Sequence, residues 1–466
     1  MCLMSLLMLT CMNGSGTSAF TLLPASITPS STTSSSRTTR SIVNNINSLK
    51  EESQTTLFMS STSQQQQQQK VKVQHLSQRR IASIQKYARI PVWPAWNGAL
   101  LFLLSLLPDS IMPNSTIAKL EDLIGGRVCP NFFDSSSTST SATNNPSPFL
   151  MLVHHSHSFT SIDPLRKFQS SVILPEGFPA HPHRGFITLT YCIKGGMIHR
   201  DSLGTKQSYG AQERHQGNVA QWLIAGAGML HEEMWDVVHG KDNKGNKGDG
   251  LVSKQELFQL WVNLPAQHKM TNPRVTLLNT NDNDTTGTDD ETGTDNAGNL
   301  DHETVAIPMV QTEQSKTLVL IGEYENARSD VETLSPMSIL HVQIEPKGSW
   351  QVTLPDSFKT GILYMRTGSA SCSSQEIDAH YTATLTPNGD TFQLTAGEDG
   401  ADFMLLVGEP LYEPVQAQGS MVMNDPEEIN VAYDDYQRGL MGRPWEHTLT
   451  DEEWELHSSK FPSVYK

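Results

Sequence analysis

The stretch HPHRGFITLTYCIKGG, residues 181–196, carries two signals that together decide how this chain folds. From Phe186 onward apolar residues alternate with polar or small ones until a Gly-Gly pair, the pattern of a half-buried β-strand that ends in a turn. Two histidines flank a proline at its start. Side chains two residues apart in a strand point to the same face, and a proline favours an extended residue before it. His181 and His183 therefore direct both imidazoles to one side if this segment is extended.

Similar short runs fill the chain from Pro148 onward, among them NVAQWLIAG (218–226), ELFQLWVNLP (256–265) and FMLLVGEP (403–410). Runs of this length, separated by Gly, Pro, Asn and Asp, predict an all-β sandwich or barrel. They fall into two groups of similar size. The Asn388-Gly389 pair between two runs predicts a hairpin turn. The segment DPEEINVAYDDYQ predicts a short C-terminal helix with Asp425 as its N-cap.

Composition and pattern divide the chain into six parts. They are a targeting presequence (1–50), a low-complexity, disordered linker region (51–147), an N-terminal β-domain (148–275), an acidic flexible insert (276–302), a C-terminal β-domain (303–442) and a C-terminal tail (443–466). The linker region contains the apolar segment GALLFLLSLL (98–107), which lies between two prolines. Its ten residues are too few to span a bilayer, so we expect no transmembrane segment.

The first fifty residues contain no Asp or Glu. An apolar run, Met1 to Met12, is followed by a Ser/Thr-rich segment that contains arginine, a composition typical of a targeting signal. The arrangement resembles the bipartite presequences of algae with complex plastids, with Phe20 at the junction. This resemblance predicts a plastid protein. A secretory signal, a mitochondrial presequence and a cytoplasmic or nuclear protein with a disordered tail stay open as alternatives.

The charge and the cysteines of the chain exclude several kinds of site. Its 466 residues carry a net charge of −16, which argues against direct nucleic-acid binding. The five cysteines are scattered and form no CxxC pair, which argues against a disulfide framework and against thiolate-bound zinc. Nitrogen and oxygen ligands are therefore expected for any metal ion. No GxSxG, Walker or GxGxxG motif supports serine-hydrolase or phosphate-binding chemistry. We expect a monomer.

A second pair of candidate ligands lies in GAGMLHEEMW (226–235), where His231 and Glu233 repeat the two-residue spacing. If the two strands adjoin, three imidazoles and one carboxylate converge. Such a set suits iron(II), manganese, nickel or copper and is less suited to zinc. Glu232 has the opposite parity and is expected to face away. The alternative is that these histidines are exposed or hydrogen-bonded and bind no metal.

Three other positions are weaker candidates. The cluster His154, His155 and His157 could form an accessory metal or proton-shuttle site, but the sequence favours a surface-facing polar strand end. His199 is either a residue that orients a ligand or a partner in a turn hydrogen bond. Cys192 lies in an alternating strand and is expected in the core rather than as a nucleophile.

At these motifs the sequence resembles the pirin family of the cupin superfamily. The likeness runs through PFLML (148–152), GFPAHPHRGFITLTYCIKGGMIHRDSLG (177–204), NVAQWLIAGAGMLHEEMW (218–235) and ELFQLWVNLP, and resumes at GEPLYEPVQAQGSMVMNDPEEINVAYDDYQRG (408–439). It implies two tandem cupin barrels of the RmlC-like jelly-roll type. It further implies one iron(II) in the N-terminal barrel, held by His181, His183, His231 and Glu233, and a metal-free C-terminal barrel.

The resemblance implies two functions from different classes. One is dioxygenase activity on flavonols such as quercetin, with Glu233 also a catalytic base. The other is iron-dependent binding of a protein partner, as a transcriptional co-regulator or an enzyme regulator. One segment departs from the family, because VHHSHSF follows PFLML where pirins commonly carry an acidic Asp-Glu-Phe. We hypothesise that His154 or His155 substitutes for those acidic side chains.

Overall fold

The computed structural model describes residues 77–86, 126–133, 146–160, 175–210, 218–237, 252–280 and 304–466, with a few positions between 107 and 116. The predicted presequence with Phe20, nearly all of the apolar segment 98–107 and most of the acidic insert lie outside these residues. No helix among the described residues is long and apolar enough to cross a bilayer.

The described residues form 24 strands and two α-helices. In chain order the strands are β1 (Ile81–Lys86), β2 (Gly126–Phe132), β3 (Phe149–Thr160), β4 (Gly177–His183), β5 (Phe186–Lys194), β6 (Gly196–Asp201), β7 (Lys206–Gly210), β8 (Val219–Ile224), β9 (Met229–Trp235), β10 (Val252–Asn263), β11 (Arg274–Asn279), β12 (Thr304–Ala306), β13 (Met309–Gln311), β14 (Ser315–Ile321), β15 (Glu323–Tyr324), β16 (Ala327–Arg328), β17 (Met337–Ile344), β18 (Ser349–Thr353), β19 (Thr360–Cys372), β20 (Gln375–Asp378), β21 (Tyr381–Leu385), β22 (Thr391–Gly408), β23 (Gln416–Gln418) and β24 (Met421–Met423). The helices are α1 (Pro426–Gln437) and α2 (Asp451–Lys460).

Two sheets build the N-terminal barrel. One has seven strands in the order β12-β11-β8-β5-β10-β3-β2, and the other has four in the order β4-β9-β6-β7. The C-terminal barrel is formed from a nine-stranded sheet with the path β1-β21-β19-β22-β17-β14-β13, to which β18 and β20 add. The short pairs β15-β16 and β23-β24 complete the strands.

The alternating pattern of each strand separates a barrel interior from a shared core. On β5, Ile187 and Leu189 lie in a core that also contains Leu320 and Ile339 of the C-terminal barrel. Cys192, one position out of phase, packs in a separate core inside the N-terminal barrel, as predicted for a core cysteine. Each fully buried aliphatic side chain in such a core contributes about 1.5–3 kcal/mol. The two barrels are therefore joined by apolar packing of their facing sheets.

The chain after the second barrel returns to the first. Helix α1 begins as predicted, with the Asp425 carboxylate accepting the backbone N–H of Glu427. Residues 443–466, expected to be a tail, contain α2, and its Trp454 is buried with Trp445 against Leu230 of β9. The sequence does not reveal this helix because its apolar residues are few. The C-terminal segment thus covers the outer face of the four-stranded sheet.

Two stretches of residues 51–147, expected to be a low-complexity linker, are strands. β1 pairs with β21 in the C-terminal barrel, and β2 pairs with β3 in the N-terminal barrel. Both are short, and neither shows a clear alternation of apolar and polar residues in the sequence. The strand pairing, not the local pattern, makes them extended.

The predicted hairpin at Asn388-Gly389 is wrong. The flanking strands β21 and β22 do not pair, because β19 lies between them in the sheet. The turn instead contacts the segment before β1, where Arg79 Nε donates a hydrogen bond to the carbonyl of Gly389 at 2.8 Å. Gly389 has a φ of +113°, which accounts for a glycine in a turn of either kind.

Candidate metal centre

The two sequence motifs lie on adjacent antiparallel strands. β4 pairs with β9, and the Cα atoms of His181 and His231 are direct partners. On its other side β9 pairs with β6, where His199 is the partner of Glu233. The two motif strands therefore adjoin, as the prediction requires, and β9 is the middle strand of the three. It directs His231 and Glu233 into the barrel, and Glu232 lies on the opposite face, as predicted.

Three imidazoles converge inside the barrel. The Nε2 atoms of His181 and His183 are 3.1 Å apart. The His231 ring centroid lies 4.5 Å from that of His181 and 4.7 Å from that of His183. One ring nitrogen of each residue lies within 4.8 Å of those of the other two, close enough to hold a metal ion. The structure thus brings together all three histidines named from the sequence.

Hydrogen bonding in this cluster fits a metal ion. The Nδ1–H of His181 donates to the carbonyl of Pro179 at 2.9 Å, which leaves the Nε2 lone pair facing the cluster. His231 is 0 % exposed, and neither of its ring nitrogens has a hydrogen-bond partner among the described residues. Buried polar atoms are rarely left without a partner. A bound cation would satisfy His231, whereas packing alone does not explain it.

The histidines are held in the neutral form that binds metal. Burial, together with the neighbouring His181 and His183, holds the pKa of His231 well below its usual range. Burial and His181 lower the pKa of His183 in the same way. For His181 the lowering by burial is partly offset by the bond to Pro179 and by the charge of Glu233. Protons therefore do not compete with a metal at neutral pH.

The Glu233 carboxylate lies beside His231 and His199 and is oriented by uncharged donors. Its Oε1 accepts hydrogen bonds from Thr190 Oγ1 at 2.7 Å and Tyr209 Oη at 3.2 Å. Its Oε2 accepts one from Gln259 Nε2 at 3.0 Å. One carboxylate oxygen of Glu233 and one ring nitrogen each of His231 and His199 lie within 4.8 Å of one another. The group formed by His181, His183 and His231 does not include this carboxylate.

His199, whose role the sequence left open, is part of the centre. It is completely buried, and its Nε2–H donates to Asp201 Oδ2 at 3.0 Å. Its Nδ1 has no hydrogen-bond partner among the described residues. The Asp201 carboxylate thus fixes the tautomer that turns the Nδ1 lone pair towards His231 and Glu233. The only signal that the sequence offers for this position is the two-residue spacing between His199 and Asp201.

The turn after His183 is held by contacts with Lys269 and with the C-terminal segment of the chain. Gly185 has a φ of +83°, and a Cβ there would lie 1.9 Å from the Val422 carbonyl oxygen, so only glycine fits. Lys269 is buried and donates from Nζ to the carbonyls of Gly185 and Val422, each at 2.9 Å. Arg184 pairs with Asp435 of α1 at 2.9 Å. The second barrel's C-terminal segment therefore holds the strand that carries His181 and His183.

The expected surface-facing strand end at residues 154–157 is wrong. His154, His155 and His157 are all buried, because β3 pairs with β10 on one edge and β2 on the other and has a barrel on each face. His155 packs inside the N-terminal barrel, 5.9 Å from Phe178 between ring centroids. His154 points out of this barrel towards Tyr364 of the other. Only His155, of the two, faces the barrel interior in which the metal centre lies.

Comparisons with known proteins agree with this arrangement. The Pirin family model matches residues 132–262, and the Pirin C-terminal cupin domain model matches residues 339–442. The chain is 31 % identical to Pirin-1 of Arabidopsis thaliana over 301 residues, which cover 63 % of this chain and 83 % of the relative.

Three further similarities are to one human and two bacterial proteins. The chain is 30 % identical to Pirin of Homo sapiens, with 58 % of this chain and 79 % of the relative covered. It is 32 % identical to a Pseudomonas aeruginosa protein provisionally named quercetin 2,3-dioxygenase, with 57 % and 80 % covered. The solved structure of quercetin 2,3-dioxygenase from Acinetobacter baumannii superposes with a TM-score of 0.53 at 23 % identity, covering 78 % of this chain and 99 % of that one. This likeness confirms the predicted fold of two tandem cupin barrels.

Proposed function

Because the chain belongs to the pirin family, we propose that it is an iron(II)-dependent dioxygenase acting on flavonol-type substrates. The observation that carries this proposal is the convergence of three neutral imidazoles in a barrel, with no described residue hydrogen-bonding either ring nitrogen of buried His231. A set of nitrogen donors with one nearby carboxylate suits iron(II) and leaves coordination positions for a substrate. The relative provisionally named quercetin 2,3-dioxygenase supports the substrate class.

In this proposal His181, His183 and His231 hold the ion together with Glu233. Iron(II) would bind the adjacent hydroxyl and keto oxygens of a flavonol. It would also supply the redox chemistry that a reaction with dioxygen requires. The barrel contributes orientation and exclusion of water. Trp261 packs edge-on against His183, with ring centroids 5.6 Å apart, and Phe186 lies 4.9 Å from the same imidazole. These rings keep bulk water from one side of the cluster.

Glu233 is the group that would accept the substrate's hydroxyl proton. Its carboxylate accepts hydrogen bonds from Thr190, Tyr209 and Gln259, none of which carries a charge. These donors orient the carboxylate without pairing it with a cation. A Glu233→Gln variant that retains iron should therefore lose turnover more than substrate binding.

A second candidate function is iron-dependent binding of a protein partner. The observation in its favour is the enclosure of the centre, since His183 is 2 % exposed and His231 is fully buried. A substrate would have to enter past the partly exposed His181. In the regulatory alternative the charge of the ion changes the barrel surface without any turnover.

The test is anaerobic reconstitution of the purified chain with iron(II), followed by oxygen uptake with quercetin. Uptake that depends on loaded iron and is lost in Glu233→Gln supports the dioxygenase. Full iron loading without uptake contradicts the flavonol assignment and favours the binding function. We also propose that residues 1–50 direct the chain to a plastid, which a fluorescent fusion of residues 1–60 would test. Plastid import would exclude a nuclear partner.

A further inference from the structure

A second group of metal-type ligands lies between the two barrels, away from the centre described above. Cys129, His154 and His380 each place one ligand atom within 4.8 Å of the other two. Cys129 and His154 are 3 % and 0 % exposed, and His380 is partly buried. The three residues come from β2, β3 and the turn between β20 and β21, so both barrels contribute to the group.

Strand pairing places the first two ligands. The Cα atoms of Cys129 and His154 are direct partners in the antiparallel pair β2-β3, so their side chains share one face of the sheet. His380 reaches the group from the facing barrel with a φ of +68°, a left-handed conformation that is uncommon outside glycine. Its backbone N–H donates to the carbonyl of Met365 at 2.7 Å, which fixes the turn. The backbone thus holds a histidine in a strained conformation beside the other two side chains.

Hydrogen bonding fixes which nitrogen of His154 faces the group. Glu256 Oε1 accepts from Nε2–H of His154 at 3.0 Å, and this carboxylate is kept ionised by Arg366 at 3.0 Å. In the neutral imidazole the Nδ1 atom then carries the lone pair, the arrangement in which a carboxylate orients a metal-binding histidine. Tyr364 Oη lies 3.0 Å from this Nδ1 and 3.2 Å from Nδ1 of His380. The two Nδ1 atoms are thus directed at one point, on which the phenol oxygen lies.

We propose that Cys129, His154 and His380 form a second metal site, for a divalent ion of borderline softness such as zinc, that links the two barrels. Cysteine thiolate and histidine nitrogen are both ligands that zinc takes in proteins. Binding would release the thiol proton of Cys129 and replace the hydrogen bonds of Tyr364 to the two imidazoles. The oxygen of Tyr364 would move off this point to make room for the ion.

The proposed site departs from the expectation that metal ligands here are nitrogen and oxygen alone. That expectation came from the absence of closely spaced cysteines, but the group is assembled from strand pairing and from packing between barrels. The second site does not depend on the proposed dioxygenase function, since it shares no residue with the first. It is expected to stabilise the contact between barrels, because an ion that binds only the folded chain favours the folded state.

The test uses cobalt(II), a spectroscopic substitute for zinc, on the full chain. A His183→Ala/His231→Ala background removes the first site, and the wild-type chain serves as the two-site reference. Cobalt should bind the background with one equivalent and produce a thiolate-to-cobalt charge-transfer band in the near ultraviolet. The band should disappear in Cys129→Ser and persist in Cys372→Ser, which alters a buried cysteine of the C-terminal barrel.

His380→Asn is the second variant, because asparagine tolerates the left-handed backbone and removes the imidazole. It should weaken cobalt binding by more than about 10-fold without changing the circular dichroism spectrum. X-ray absorption of the zinc-loaded background should reveal one sulfur neighbour at about 2.3 Å. Absence of the charge-transfer band at saturating cobalt, an unchanged band in Cys129→Ser, or a zinc shell without sulfur would each overturn the proposal.

Discussion

Both domains are β-barrels, but one has a polar interior around the histidines and the other has an apolar interior. In the N-terminal barrel the directly opposed His181 and His231 lie in a polar interior with buried Thr190 and Gln259. In the C-terminal barrel, strands β18 and β22 oppose Trp350 to Leu394 and Val352 to Phe392, and all four are buried in an apolar core. The N-terminal barrel thus gathers candidate metal ligands in its interior, whereas the interior of the C-terminal barrel is a packed apolar core.

This difference teaches that function resides in the inward-facing residues and not in the fold. The apolar interior of the C-terminal barrel contributes stability through burial of side chains. The polar interior of the N-terminal barrel gives up part of this stability, because it buries imidazole and other polar groups. Substitutions in the two barrels should therefore have separable effects on stability and on metal affinity.

The largest effect on stability is expected at the ionic contact between the barrels. Arg366 donates two hydrogen bonds to Asp402, at 2.7 and 2.6 Å, and one to Glu256 of the N-terminal barrel. Arg366→Met removes the guanidinium that two buried carboxylates share, leaving Asp402 with His341 and Glu256 with His154. It should lower the free energy of unfolding by about 3–5 kcal/mol. Arg438→Met, which removes an exposed pair with Asp434, should change it by no more than about 0.5 kcal/mol. Urea denaturation measures both, and equal effects would contradict a structural role for the contact.

A substitution inside the scaffold barrel should reduce stability alone. Leu405 is fully buried in the apolar core of the C-terminal barrel. Leu405→Ala should cost about 2–5 kcal/mol through lost burial and the cavity that remains. Metal analysis of the folded variant should give the wild-type iron content. A parallel loss of iron would mean that the two barrels are not separable.

The converse change alters the metal centre with little effect on stability. Gln259→Leu removes the donor to Glu233 Oε2 and should weaken iron(II) binding by about 10–100-fold. The matched control is Gln343→Leu, which removes an amide donor to the Asp402 carboxylate at 2.9 Å in the other barrel. Competition with a chelator measures both affinities. If the control weakens binding as much, the effect is not specific to the centre.

The smallest effect is a pH dependence of stability in the metal-free chain. Burial, with the charges of His157 and His154, holds the pKa of His155 well below its usual range. The unfolded chain therefore takes up a proton at a higher pH than the folded one, so this contribution is complete above about pH 6.5 and declines as the pH falls. His155→Phe should reduce the slope of unfolding free energy against pH by up to about 1.4 kcal/mol per pH unit between about pH 7 and pH 5. An unchanged slope would mean that His155 is charged in the folded chain.

Much of the fold and part of the site could be predicted from the sequence. Alternation of side chains within one strand revealed the barrels, and the two-residue spacing of His181 and His183 with His231 and Glu233 revealed which side chains share a face. Both are local properties with a period of two residues. Helix α1 was predicted for the same reason, because its capping residue Asp425 is local.

The missed features depend on contacts between distant segments. β2 is extended because β3 pairs with it, and His154 to His157 are buried because β2 and the second barrel cover them. The turn at Asn388-Gly389 was misjudged because the strand between its flanks comes from elsewhere in the chain. Neither pairing nor burial of this kind leaves a signal in a short stretch of sequence.

The measurement that most directly tests the central claim is the iron content of His231→Ala after anaerobic reconstitution. His268→Ala, a partly exposed histidine outside the centre, is the control. The N-terminal centre predicts that His231→Ala loses its iron while the control retains the wild-type amount and both variants stay folded. Undiminished iron in folded His231→Ala would contradict the assignment of the metal to this barrel.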